Sequence, residues 1–246
     1  MNMDFGKRSA PIVIIGAMDS EMALIRSRMS IEKSYELCGF PVSEGTLNGV
    51  PVVAALNQVG MVNTAVLTTL LAEHCKPCCV LMQGTAGSYC EEHRTGDIIL
   101  GNVIRNTNCA LMRPEDCRRL EQITDGKWTE TYCCHSDPEL LAIAETVPYE
   151  RGRIMKGSIA SCDFWSFDPD SIREIRERFG SDCEEMESYA AAQACSRLGI
   201  PFLGVRVISN NELTGEGFMI DAAAWCQSFV IGIVGAIAEK EKGKQI

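Results

Sequence analysis

Apolar residues along this chain follow two rhythms. Short apolar runs over Pro11–Ile15, Cys79–Met82, Ile154–Ser161 and Phe202–Ile208 read as buried strands. Between them lie longer stretches with helical spacing. Met22, Leu24, Ile25 and Met29 follow an acidic turn, and a helix opens near Asn63 and runs to about His74. Asp170–Phe179 is charged and amphipathic, Ser188–Leu198 is rich in alanine, and Asp221–Lys240 carries Ala222, Phe229, Ile231, Val234 and Ile237 on its apolar side. Gly199 is placed to stop the alanine-rich helix. Asn48-Gly49, inside the loosely alternating stretch 35–57, predicts a hairpin turn. Strands alternating with helices make this an α/β chain. Residues 106–150, which include Lys127-Trp128, are polar and weakly patterned apart from a helix over Pro138–Glu145. Residues 1–10 and 241–246 read as loose tails.

Composition narrows the picture. The 246 residues, 46% hydrophobic and 23% charged, suit one large domain spanning 1–246. A net charge of −10 argues against nucleic acid, whose phosphates need clustered Lys and Arg, and equally against an anionic membrane. A neutral or zwitterionic small molecule fits better. The 13 cysteines are odd in number and form no repeated framework. The first apolar run, Ile12–Ile15, is too short for a signal peptide, and no stretch is expected to reach a membrane span. The thiols therefore read as reduced core residues of a cytoplasmic protein. Cys75-Lys76-Pro77-Cys78 reads as a helix end running into a strand, since a redox or metal role needs a second ligand pair. Cys133-Cys134-His135 supplies one histidine only. No metal and no cofactor are expected.

The residues that carry chemistry stand at strand ends. In open α/β sheets ligands bind beyond the carboxyl ends of the strands. Glu185 and Glu187, where a strand meets a helix, and Asn210, just after a strand, fall at such a rim. Glu21 sits in the turn Gly16–Glu21. It can take a proton from a water, or simply complement a helix dipole, with Asp19 or Ser20 as the cap. The glycines of Gly84-Thr85-Ala86-Gly87 let backbone approach a ligand. Phe164 and Trp165 offer flat faces for stacking, or fill a core.

The run Glu185-Met186-Glu187, the alanine-rich helix, Ile200-Pro201-Phe202, Arg206 and Ile208-Ser209 resemble the purine nucleoside phosphorylase/nucleosidase superfamily. So does the opening Ile15-Gly16-Ala17-Met18. Within the superfamily the chain is most similar to the methylthioadenosine/S-adenosylhomocysteine nucleosidases, over nearly its whole length. The resemblance implies a single domain with a central mixed twisted β-sheet flanked by helices. It implies hydrolysis of a purine N-glycosidic bond, with Glu21 holding the attacking water. Val59 and its neighbours would line the 5′ end, although Gln58 and Met61 depart from the pattern. Thr85 and Ala86 would lie beside the ribose, and Met186 beneath it. Glu187 would accept from its hydroxyls and Glu185 help orient the site. Trp165 would stack on the base if the alignment has no gap, Phe164 if it has one. Family members are homodimers or larger, with a neighbour partly closing the 5′ pocket.

Two departures bear on the reaction. Superfamily phosphorylases place an arginine beside the residue matching Asp97, where its planar fork grips phosphate. Gly96 stands here instead, with Arg94 two residues earlier and Arg105 further on. Water is therefore expected as nucleophile. The second departure is Asn210, 23 residues after Glu187 (210 − 187), where nucleosidases carry an aspartate that protonates purine N7. Asparagine has two donors and one acceptor, so it can read a base. It cannot transfer a proton, and general acid catalysis is worth roughly 10²–10⁴ in rate. Three outcomes stay open. Asp163 or Glu212 supplies the acid; a 6-oxopurine nucleoside of futalosine or inosine type is the substrate; or the protein is a binding or storage module with poor turnover. The purine nucleoside hydrolase leads, with a phosphorylase as a further alternative.

Overall fold

Every residue of Ile12–Gly16 (β1) is buried, and its side chains alternate between two cores. Ile12 and Ile14 meet Met22 and Ile25 of helix α1 (Asp19–Arg28) and Phe229, Val230 and Ile233 of helix α7 (Ala222–Lys244). Val13 and Ile15 meet Leu67 and Leu71 of α2 (Met61–Cys75) and Tyr189, Ala191 and Cys195 of α6 (Ser188–Leu198). A strand covered on both faces has no polar side, which is why its sequence is a continuous apolar run. The computed structural model describes residues 10–108, 113–125 and 132–244. Lys127-Trp128, residues 1–9 of the first tail and the last two residues lie outside them.

The remaining strands are β2 (Ser30–Leu37), β3 (Phe40–Leu47), β4 (Val50–Leu56), β5 (Cys79–Ser88), β6 (Ile98–Asn106), β7 (Cys133–His135), β8 (Ile154–Ser161), β9 (Cys183–Glu185) and β10 (Phe202–Asn210). The other helices are α3 (Pro114–Ile123), α4 (Pro138–Ala144) and α5 (Pro169–Phe179). Among the described residues, the ten strands join one mixed sheet. β4, β1, β5 and β10 run parallel in that order. β10 then pairs antiparallel with β6, β6 parallel with β8, β8 parallel with β9, and β9 antiparallel with β5. The circuit β5–β10–β6–β8–β9 closes on itself. The open sheet assumed from sequence is thus open only on its β4–β3–β2 side. There the β3–β4 hairpin turns at Asn48 and Gly49, with φ of 52° and 79°, the paired positive values of a type I′ turn.

Several expectations need correcting. β5 continues to Ser88, so Gly84-Thr85-Ala86-Gly87 is strand rather than loop. Helix α1 has Met18, not Asp19 or Ser20, at its N-cap. Helix α3 was not foreseen. Helix α7 runs to Lys244, into the segment expected as a tail. Its stretch 222–243 is also long and apolar enough to cross a membrane, against the expectation that none would be. Packing decides the matter: half of the apolar window is buried, with Cys226, Phe229, Val230, Ile233, Val234 and Ile237 inside the first core. The helix end at Cys75 and the strand start at Cys79 bear out the bland reading of that Cys pair.

Candidate active site

A cavity of about 290 Å³ opens beside the carboxyl ends of β1, β5 and β10. Glu21, Val59, Thr85, Ala86, Phe164, Trp165, Glu185, Met186, Glu187 and Asn210, the candidates named from sequence, all line it. They arrive from six segments of chain. Their convergence follows from the parallel order of β1, β5 and β10, which brings three strand ends to one rim.

Glu21 lies one turn inside α1 and is 2% exposed. Its Oε2 accepts from the N–H of Ala17 (2.9 Å) and Met18 (3.2 Å). Its Oε1 accepts from the N–H (2.8 Å) and hydroxyl (3.1 Å) of Thr85. The carboxylate therefore caps its own helix and clamps β5 against it. Gly84 makes the space: a Cβ there would sit 2.6 Å from Glu21 Oε1 and 2.4 Å from Arg206 Nη1.

Glu185 and Glu187 flank the start of α6 and behave differently. Glu185 Oε1 accepts from the hydroxyl of Ser161 and from Ser188 N–H; Oε2 accepts from Glu187 N–H, Ser188 N–H and the Arg206 guanidinium. Both of its oxygens are thus engaged by protein donors, and the carboxylate braces the wall of the cavity. Glu187 is less engaged. Oε1 accepts from Gly60 N–H at 3.1 Å, and Oε2 from its neighbour Met186 N–H at 3.3 Å, with Arg206 Nη2 at 3.5 Å. Burial pushes the Glu187 carboxyl up to about 8; Arg206 and the Gly60 N–H pull it back, while Glu185 and Glu21 add to the rise. Gly60 has φ of 106°, a value closed to side chains with a Cβ, so Glu187 receives its donor from a backbone only glycine adopts easily.

Asn210 sits after a bulge between Ile208 and Asn210 in the β10–β5 ladder. The bulge turns both Ser209 and Asn210 to the cavity wall, where strict alternation would present one. Asn210 Oδ1 is 3.0 Å from Ser209 Oγ, and Nδ2 donates to Glu212 Oε1 at 3.2 Å. Of the two alternative acids, Glu212 thus reaches the site through Asn210. Asp163 does not: it accepts from Met61 N–H and Asn108 Nδ2 and holds the start of α2. Both aromatic candidates reach the cavity. Trp165 is 41% exposed and stacks on Phe167 at 5.1 Å, with its ring edge-on to Phe218 at 5.8 Å.

Sequence reasoning missed Glu184, Ser209, Phe218 and the backbone wall at Ala17 and Met18. Glu184 stood in the acidic run, but its partners gave no local sign. Tyr89, 95 residues away, donates to it at 2.5 Å, and Ser166 donates through both N–H and hydroxyl. Burial first, then Glu184 itself, drives the Tyr89 phenol well above its ordinary range, so it stays a donor. Phe218 had no signal at all. Outside the cavity, Cys90, His93 and Asp182 form one cluster of three potential ligands among the described residues.

The family profile of the phosphorylase superfamily matches residues 11–238. This chain belongs to the phosphorylase superfamily. Among relatives within it, the 5′-methylthioadenosine/S-adenosylhomocysteine nucleosidase of Tolumonas auensis is 31% identical over 208 residues, covering 81% of this chain and 85% of that one. The structure of the Neisseria meningitidis nucleosidase of the same name, in complex with methylthio-immucillin-A, superposes with a TM-score of 0.80 at 27% identity, covering 92% of this chain and 98% of that one. A Helicobacter pylori futalosine hydrolase shares the fold, with a TM-score of 0.79 at 22% identity, covering 92% and 97%. Membership makes the basic residues informative. Among the described residues lining the cavity are four glutamates and neither lysine nor arginine. Arg94 donates to the carbonyls of Glu91 and His93, and Asp97 is paired with Arg153. Arg206, buried behind the wall, is committed to Glu185, Glu187 and Ser188.

Proposed function

We propose that this chain hydrolyses the N-glycosidic bond of a purine nucleoside such as methylthioadenosine or S-adenosylhomocysteine. One observation carries the reading: Glu21, Glu187 and Asn210, from three distant segments, face one cavity whose mouth is aromatic. Breaking the bond leaves positive charge on the ribose and negative charge on the base. Glutamates on the wall favour the first. Glu187, which keeps acceptor capacity, receives the ribose hydroxyls; Met186 packs beneath the sugar; Thr85 and Ala86 lie beside it. Glu21, already fixed by four donors, orients the attacking water and draws off its proton. Trp165 and Phe164 flank the base and Asn210 reads its edge. Among the described residues, Arg94, Arg153 and Arg206 are each engaged by protein partners, which favours water over phosphate.

The test is to incubate the protein with methylthioadenosine, S-adenosylhomocysteine, inosine and adenosine, with and without phosphate, and to follow free base. Phosphate-independent release of adenine is expected. Phosphate-dependent release would assign a phosphorylase, and release from inosine alone would assign a 6-oxopurine hydrolase. Tight binding without release would assign a binding protein, an outcome that Asn210, which has no proton to give, keeps in play.

The assembly we propose is a homodimer or larger. Val62 and Val66 are exposed one turn apart on α2, and Val59, just before the helix, is exposed and also lines the cavity. Sedimentation of the wild type against Val62→Glu tests this, with dissociation expected. Eleven cysteines, from Cys38 to Cys226, are free thiols among the described residues; we place the protein in the cytoplasm, where thiols stay reduced.

A further inference from the structure

The Asn210 amide is buried, at 1% exposure, and its two ends have different neighbours. On one side Glu212 Oε1 lies 3.2 Å from Nδ2. On the other Ser209 Oγ lies 3.0 Å from Oδ1 and 3.2 Å from the carbonyl of Ala86. A hydroxyl can donate or accept, so Ser209 tolerates either end of the amide. An ionised carboxylate only accepts. Glu212 is therefore the group that tells the two ends apart, and it holds Nδ2 toward itself.

The backbone on either side of Glu212 is held. The side chain of the preceding residue, Asn211, donates to the carbonyls of Cys90 (2.9 Å) and His93 (3.1 Å) and accepts from Leu213 N–H (3.2 Å). Asn211 N–H donates to the carbonyl of Glu216 at 2.8 Å, closing the turn. Gly87 backs Asn210 closely enough that a Cβ there would stand 3.2 Å from Nδ2.

We infer that Glu212 makes Asn210 select a 6-aminopurine over a 6-oxopurine. Nδ2 carries two N–H groups. One is given to Glu212, which leaves one N–H and one Oδ1 lone pair for a ligand. That pair complements N7, an acceptor, beside a 6-amino group, a donor. A 6-oxopurine presents two acceptors, N7 and O6. Unrestrained, Nδ2 spans both; restrained by Glu212, it serves N7 while O6 meets Oδ1, lone pair against lone pair. Glu212 is a positioning residue in this scheme, acting through Asn210. The inference rests on the reading above that Asn210 faces the base.

The test compares adenine and hypoxanthine binding by calorimetry in wild type, Glu212→Ala and Glu212→Gln, alongside kcat/KM for methylthioadenosine and methylthioinosine. Wild type is expected to favour adenine. Glu212→Ala frees the amide to turn and releases its second N–H, narrowing the adenine-to-hypoxanthine ratio about tenfold, the scale of one hydrogen bond. Glu212→Gln, which can face either end of the amide, is expected to fall between. Equal weakening of both bases, with the ratio unchanged, would reduce Glu212 to a support for the turn and overturn the inference. So would a wild type indifferent to the two bases. If wild type binds neither base, the proposed function itself fails, and that result is distinct from the other two.

Discussion

The inner wall of the cavity and its rim are built on opposite principles. The inner wall, Cys183–Ser188 backed by Arg206, is ionic and dry. Arg206 is 1% exposed, and its guanidinium meets Glu185, Glu187 and the Ser188 hydroxyl. The rim, around Trp165, Phe167 and Phe218, is apolar and open, with these rings 41%, 65% and 43% exposed. Buried charges persist only when each finds its partner, so the inner wall must be rigid. Exposed rings obey no such condition and can adapt to what they cover. Substitutions inside should therefore damage folding and chemistry together, while those at the rim should touch binding alone.

The severest test of that contrast is Arg206→Leu. It strands the buried Glu185 without its cation, and a loss of about 3–5 kcal/mol of folding free energy is expected by urea unfolding. Next comes Glu21→Gln. Its carboxamide keeps the shape but sets an N–H against donors, and base release is expected to fall roughly 10²–10⁴-fold in kcat. Asn210→Asp runs the other way. Restoring a proton donor beside N7 should raise adenine release from methylthioadenosine at least about tenfold. An unchanged or lower rate would remove Asn210 from the base edge. At the rim, Trp165→Ala should raise KM by about 2- to 12-fold, the worth of one aromatic contact, with kcat and the unfolding midpoint unmoved. A large drop in stability there would erase the contrast.

The subtlest effect is on pH. Burial raises the Glu187 carboxyl from its ordinary 4.5 to about 8, so the folded state holds a proton that the unfolded chain has released. The stability linked to that proton is fully present below pH 4.5 and is lost as pH rises through about 8. Urea midpoints should decline from pH 6 to pH 9 in wild type and decline less in Glu187→Gln. Equal slopes would mean that Arg206 keeps Glu187 ionised throughout.

Local chemistry announced much of the framework. Asn48-Gly49 turned the hairpin, Gly199 ended α6 with φ of 69°, and the short apolar runs became strands buried on both faces. Each such signal acts within a few residues. The shortfalls came where distance matters. The β5–β10–β6–β8–β9 circuit depends on pairings between strands up to 123 residues apart in register, such as Asn210 with Gly87 (210 − 87). Helix α7 reads in sequence as an amphipathic helix and is long and apolar enough over 222–243 to cross a membrane; its packing against distant segments is what places it in the core.

The same division runs through the site. Residue type and order along the chain determined which groups were candidates, because a carboxylate, an amide or a flat ring carries its chemistry wherever it stands. Only the tertiary structure decided what each had left to offer. Two glutamates two residues apart look alike in sequence, yet Glu185 spends its oxygens on Arg206, Ser161 and Ser188 while Glu187 keeps acceptor capacity for the cavity. Hydrogen-bonding capacity is finite and is claimed by whichever partners the fold brings near, and that allocation is written in distances between segments, not in either segment alone.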